Sequence, residues 1–283
     1  MRKVLISITL LLLPLLAGAQ AQINTKKVKI ADFPEKVTKV VLTGNDFYDI
    51  LLKEEVAAIW RLSPYEFCTL DEFNRLKHDD SYYFLLTVDG QFRKETEPGI
   101  SFLTLVKGGK GAGSGIGKML EVVSVPIASA DDPSGREFVF MPVILDMIQK
   151  HTEACMNKDL NGLVGLSNSS LNMSKAGNME LIFSEDDLAE EVDRPFRDLN
   201  FDSDMIVTDE GSADRYIETN AADKLVSFVV APSDPQPGSY CYKMLINAQT
   251  HELYYFRKHR ISAKYGAGFL KEDISRINSS RGR

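Results

Sequence analysis

The feature that most constrains this chain is an alternation of strand-like and helix-like segments that runs twice at nearly the same spacing. In the first run, residues 39–42 read as a strand, Thr43-Gly44-Asn45-Asp46 as a turn, and residues 47–60 as a helix with Phe47, Ile50, Leu51, Val56 and Ile59 mostly on one face. Residues 62–67 are extended, because Pro64 restricts Ser63 before it. A second helix opens at Thr69, which has capping-box spacing to Glu72 and staple positions at Cys68 and Phe73. Residues 82–88, 100–106 and 120–127 follow as strands, and residues 138–156 as a helix whose Pro142 is tolerated near the first turn.

The second run repeats that order. A strand at 179–183 precedes a helix capped by Ser184, and a strand at 205–208 precedes a helix capped by Ser212. Strands at 225–231, 240–246 and 252–259 and a terminal helix near 269–277 complete it. The pairs Leu62/Met205, Thr69/Ser212, Asp71/Asp214, Phe73/Tyr216 and Tyr82/Leu225 are each separated by 143, Thr43/Ser184 by 141, and later pairs by less, down to 131 for Phe138/Phe269. Two readings stay open: an internal duplication, or ordinary β-α spacing that matches by itself, since the only identity among these pairs is Asp71/Asp214. Either way the expected fold class is α/β, with two tandem Rossmann-like β-α-β-α-β-β-β-α modules and mixed sheets, because short turns join the last three strands of each run. The expected boundaries are 22–156 and 179–283, with a linker at 157–178 rich in Asn, Ser and Gly.

Residues 1–21 are expected to be an export leader rather than part of the fold. Arg2 and Lys3 form a positive head, residues 4–16 an apolar run, and Ala17-Gly18-Ala19-Gln20-Ala21 a small-residue cleavage region that fits cutting after Ala19 or Ala21. No cysteine lies there to take a lipid, and no later segment approaches the roughly 18 apolar residues of a membrane span, so the expectation is a soluble periplasmic or secreted protein. Cys68, Cys155 and Cys241 are widely spaced, which suits buried thiols, with a Cys155 to Cys241 bridge left open.

The β-α-β-α order followed by a β-meander, with two late strands flanking the turn in Met244-Leu245-Ile246-Asn247-Ala248-Gln249-Thr250-His251-Glu252-Leu253, resembles the periplasmic Rossmann-like domains of the TolB amino-terminal and CsgG types. The resemblance implies a binding or assembly component. The chain departs from both families: it lacks the lipidation cysteine of the CsgG type and the propeller-length region that follows in TolB, so neither pore formation nor the TolB partnership carries over.

Familiar catalytic motifs are tested and fail. The glycine loop at residues 107–118 has Ala112 where a P-loop needs its first glycine and Met119 where it needs Ser or Thr, and a strand follows it instead of a helix, so a flexible hairpin loop is expected. His78, His151, His251 and His259 lack metal spacing; His251-Glu252 begins like a zincin motif, but Tyr255 stands in the fifth position. Cys68 before a helix invites nucleophilic chemistry, yet its staple role already accounts for it. No cofactor, metal or catalytic residue is assigned. Open α/β sheets place ligands beyond the carboxyl ends of their strands, which singles out Asn45, Asp46, Glu66 and Asp209 as ligand-binding candidates, set against plain helix capping for Asn45 and Asp46.

Charge narrows the partner class. With 33 basic against 40 acidic residues, net -7, a generally cationic nucleic-acid surface is not expected. Residues 184–218 carry 13 acids against 3 bases, whereas residues 257–283 carry 8 bases against 2 acids. That polarity suggests a basic tail meeting another envelope protein or an anionic surface, against the plainer reading of solvated helix faces. The expected function is non-enzymatic binding or assembly in the cell envelope; the alternatives are an exported hydrolase with a carboxylate site at the strand ends, or a small-molecule binder with ligand between the modules.

Overall fold

A computed structural model describes residues 30–92, 95–157, 171–236 and 238–281. The leader at 1–21 and most of the linker at 157–178 lie outside the described residues. Among the described residues the fold is mixed α/β, with two five-stranded mixed sheets and six helices. In the first sheet β1 (Val37–Val41) pairs parallel with β2 (Tyr65–Cys68) and β3 (Tyr82–Gly90), and β4 (Ile100–Lys107) and β5 (Leu120–Ser129) extend it antiparallel, in the order β2-β1-β3-β4-β5. The second sheet repeats this with β6 (Glu180–Ser184), β7 (Met205–Thr208), β8 (Lys224–Val230), β9 (Tyr240–Asn247) and β10 (Leu253–Arg260), in the order β7-β6-β8-β9-β10 with the same parallel and antiparallel pairs. The two halves are therefore two tandem α/β modules of one topology. Among the described residues no helix is long and apolar enough to cross a membrane.

Local chemistry sets the helices. Asn45 caps α1 (Asp46–Ile59) by accepting from the Phe47 and Tyr48 amides, and Thr69 caps α2 (Leu70–Leu76) by accepting from Glu72. Cys68 and Phe73 are both buried in the cluster beneath α2, as a staple requires. In the second module the details shift. Ser184 caps only a short 3-10 turn, Glu185–Asp187, and an unforeseen helix α4 (Arg194–Asn200) starts at Asp193. The cap of α5 (Glu210–Glu218) is Asp209 and not Ser212, whose amide donates to the Asp209 carboxylate at 2.9 Å. The equivalent caps Thr69 and Asp209 are thus separated by 140 rather than 143. Each module then ends on a helix, α3 (Arg136–Asn157) in the first and α6 (Lys271–Ser280) in the second, and Pro142 falls inside α3 rather than at its start.

The glycine loop is folded rather than slack. It makes two 3-10 turns, Lys110–Ser114 and Ile116–Lys118, with Ala112 buried among Phe84, Val106 and Met119. A Cβ on Gly108 would stand 2.1 Å from the Asp79 carbonyl oxygen and one on Gly111 2.3 Å from that of Lys118, so these glycines serve close backbone approach.

The modules stack through unlike faces. In the first sheet Val40, Leu85, Leu105 and Val125 share the face that α1 and α3 cover, while Val41, Phe84, Leu86 and Val106 lie under α2 and the glycine loop. In the second sheet Ile182, Val226, Phe228, Met244 and Ile246 share the α5 face, and Leu181, Phe183, Leu225 and Leu245 lie under α6. It is the α5 face of the second module that packs on α3 of the first: Phe140 stacks on Phe228 with ring centroids 4.2 Å apart, and Phe102 meets Tyr242 edge-on at 5.7 Å. One hydrophobic core thereby runs through both modules.

That core holds His151 of α3, only 2% exposed, and burial pushes its pKa down from 6.5 to about 4. Above pH 6.5 the ring is neutral whether the chain is folded or not. Between 6.5 and 4 only the unfolded chain takes the proton, so folding stability falls on acidification across that window. In urea titrations, the stability difference between pH 7 and pH 5 should shrink by about 2 kcal/mol in His151→Leu; an unchanged difference would show that the ring charges inside the fold.

Candidate functional site

The four residues expected to line a ligand crevice are not brought together. Asn45 caps α1, and Asp46 stands exposed in its first turn. Glu66 lies on the edge strand β2 and pairs with Lys39 of β1, while Asp209 caps α5 in the other module. The turn after β1 is closed on itself: the buried Asp49 accepts from Thr43 N–H and Oγ1–H at 2.8 and 2.9 Å and from Gly44 N–H at 2.9 Å, with Gly44 at φ +86°. A carboxylate holding three donors in a turn is a local structural lock.

The corresponding strand ends of the second module hold a buried charge cluster, and its cation comes from the first module. Arg136, the first residue of α3, is buried with its Nη1 2.9 Å from Asp187 Oδ1, its Nη2 2.6 Å from Asp214 Oδ1 and 3.0 Å from the Ser227 carbonyl, and its Nε about 3 Å from both Asp214 oxygens. Ser227 Oγ–H donates to the second Asp187 oxygen and in turn accepts the Ser184 amide. The guanidinium lies over the Phe140 and Phe228 rings, and Glu210 approaches at 3.6 Å. Burial pushes the Asp187 carboxyl above the usual carboxylate range, and the Arg136 guanidinium and the Ser227 hydroxyl oppose that rise from hydrogen-bond distance. This crevice, where an open α/β sheet ordinarily takes a ligand, is filled by a side chain of the neighbouring module.

The first module shows the same device in cis. Lys39 sits on the α2 side of its sheet, buried, bonded to Glu66 and 3.6 Å from Glu72 of α2, with the Tyr82 ring 5.3 Å from its ammonium. Both modules thus place a cation beside their first strand and near the start of their second helix, satisfied by carboxylates.

Other reactive groups are buried and quiet. Cys68, Cys155 and Cys241 are free and buried, with no Cys155 to Cys241 bridge formed, and burial raises their thiols to about 11, 11 and 12, which removes thiolate character. Glu121 of β5 was missed by sequence reasoning: burial pushes its carboxyl up to about 7. Its only signal was a lone acid in the apolar run Leu120-Glu121-Val122-Val123. Among the described residues no group of His, Cys, Asp or Glu is arranged to hold a metal ion.

The basic tail is paired in part: Arg257 meets Asp273 and Glu272 and Arg276 meets Glu272 within the tail, while Arg281 meets Asp202 and Asp204 of the acidic stretch; Arg260, Lys264, Lys271 and Arg276 are exposed. Lys258 and Arg260 lie over the Tyr240 ring and Lys271 over Phe196.

Two surface features remain. Phe47 and Ile50, expected on the inner face of α1, point outward at 67% and 56% exposure, because Tyr48, Leu52 and Val56 take the buried face. Phe47 packs edge-on against Phe138 at 4.9 Å. The second feature is a groove of about 400 Å³ between β7 and α5. No protein-family model, curated protein or solved structure matches this chain.

Proposed function

We propose that the chain is exported by its leader and acts in the cell envelope as a non-enzymatic binding or assembly protein. The observation that carries this reading is the exposed pair Phe47 and Ile50, extended by the half-buried Phe138, at the end of the first sheet where α/β folds present their variable turns. Phe47 and Ile50 are two large apolar side chains left in water on one helix face beside Phe138, and a pair of this kind suits a partner's surface. The filled crevice at Arg136 and the packed Phe140–Phe228 contact favour outer surfaces over a ligand held between the modules.

A photo-crosslinking residue in place of Phe47, read in cells that export the protein, should capture a partner whose purified form binds the mature chain. Phe47→Ser with Ile50→Ser should weaken that binding at least about tenfold, since anchors of this kind carry much of an interface's energy. Stability should change by no more than about 1 kcal/mol, because both side chains are solvated. Unchanged affinity in the double variant removes α1 as the site. Turnover of any substrate by the purified mature protein, lost on Glu66→Gln, overturns the non-enzymatic reading.

A further inference from the structure

The groove beside α5 has a shape and a charge that point to one kind of occupant. α5 crosses over β6 and β8 and leaves the same face of the edge strand β7 uncovered. Ile206 and Thr208 of β7 form one wall; Ser212, Arg215, Tyr216 and Thr219 of α5 form the other. An edge strand flanked by a helix, with an open channel between them, is the arrangement in which an extended peptide adds to a sheet while alternate side chains enter the channel.

The backbone of β7 is set up for such pairing. Leu181 to Ser184 run in register with Met205 to Thr208, and the Leu181 amide donates to the Asp204 carbonyl. Backbone groups alternate from side to side along a strand, so the Val207 N–H and C=O face away from β6, at the open edge. The walls supply three hydroxyls, a phenol, an isoleucine and a single charge. Arg215 is exposed and makes no ion pair among the described residues, while the neighbouring acid Asp214 is spent on Arg136. A guanidinium left without a carboxylate beside a groove calls for an anionic group in the occupant, which it can hold by two parallel hydrogen bonds.

We propose that this groove binds an extended peptide that adds to the edge of β7 and places a carboxylate on Arg215. The proposal deepens the binding reading above and rests on it, naming the class of partner and a second surface for it. The carboxylate is that of an acidic side chain: Arg215 stands midway along its wall, between Ser212 and Thr219, so a peptide running the length of the groove meets it with a side chain and not with its end.

The test uses the mature chain and labelled octapeptides of alternating valine and threonine, read by fluorescence anisotropy. One carries a central glutamate and an amidated end, one a free terminal carboxylate without glutamate, and one a central lysine with an amidated end. Binding by the glutamate peptide, with the lysine peptide excluded, is the expected result; binding by the free-terminus peptide as tightly as by the glutamate peptide, or alone, overturns the proposal. Arg215→Ala should then weaken binding about tenfold or more, as loss of a charge-assisted contact does, and saturating peptide should slow hydrogen exchange at the Val207 amide. The proposal is overturned if no peptide binds at millimolar concentration, if the lysine peptide binds as well, if Arg215→Ala changes nothing, or if Val207 gains no protection. It is also overturned if free glutamate displaces the peptide at equal concentration, which would mark a small-molecule site. Failure here with the Phe47 and Ile50 variant still losing its partner leaves the broader reading standing; turnover by the purified protein ends that reading whatever the peptides do.

Discussion

Arg136→Met should lower the folding stability of the mature chain by about 3–5 kcal/mol, because it strands two buried carboxylates that pair with no other cation among the described residues. Asp187 is fully enclosed, with Ser227 as its remaining donor, and Asp214 loses its bidentate partner. For a protein whose total stability is on the order of 5–15 kcal/mol this is a large fraction. The loss should also be visible in how the protein unfolds. Arg136 ties the first turn of α3, the last helix of the first module, to three elements of the second, so urea titration should change from a single transition to two, the second module melting first. Replacing all three charges together, Arg136→Met with Asp187→Leu and Asp214→Leu, should recover most of the loss, since a packed apolar triad avoids the desolvation that the ions suffer. A single variant within about 1 kcal/mol of the parent would mean that water reaches the cluster.

Arg136 also shows where reading the sequence stops. Its partners lie 51, 78 and 91 residues further along the chain, and no local spacing links them. The order of elements was legible because hydrophobic period and turn chemistry are local, and the caps at Asn45 and Thr69 follow from residues three positions away. Ser212 misled because Asp209, three residues earlier, already caps the helix: its carboxylate accepts from the Ser212 amide, which places Ser212 inside the first turn. Phe47 and Ile50 misled for a different reason. α1 can turn either of two apolar stripes inward, and tertiary packing against the core decides for the one that carries Tyr48, Leu52 and Val56. Of the four expected ligand residues, two cap helices, one stands exposed in a first turn and one is bound to Lys39; the groove at Arg215 needed the edge position of β7, which strand order alone reveals.

The second module contains another buried ion pair, and its two members should not be equally dispensable. Lys243 of β9 and Asp273 of α6 are each about 1% exposed and bonded to one another. Asp273 does more: it accepts from the Tyr255 hydroxyl at 2.5 Å and from the Leu270 amide at 2.8 Å, and Arg257 lies 3.5 Å away. Lys243 has no second ion pair among the described residues. Asp273→Ala therefore removes the start of α6, leaves a buried ammonium alone, and should cost about 3–5 kcal/mol. Lys243→Met leaves Asp273 with three donors and should cost less, by at least about 1 kcal/mol, despite cutting the same salt bridge. Equal losses in the two would mean that the pair acts through its mutual attraction alone. Because neither residue touches the groove at Arg215 or the α1 surface, both variants should keep their peptide and partner affinities while they remain folded, which separates the framework that holds the two modules from the surfaces they present.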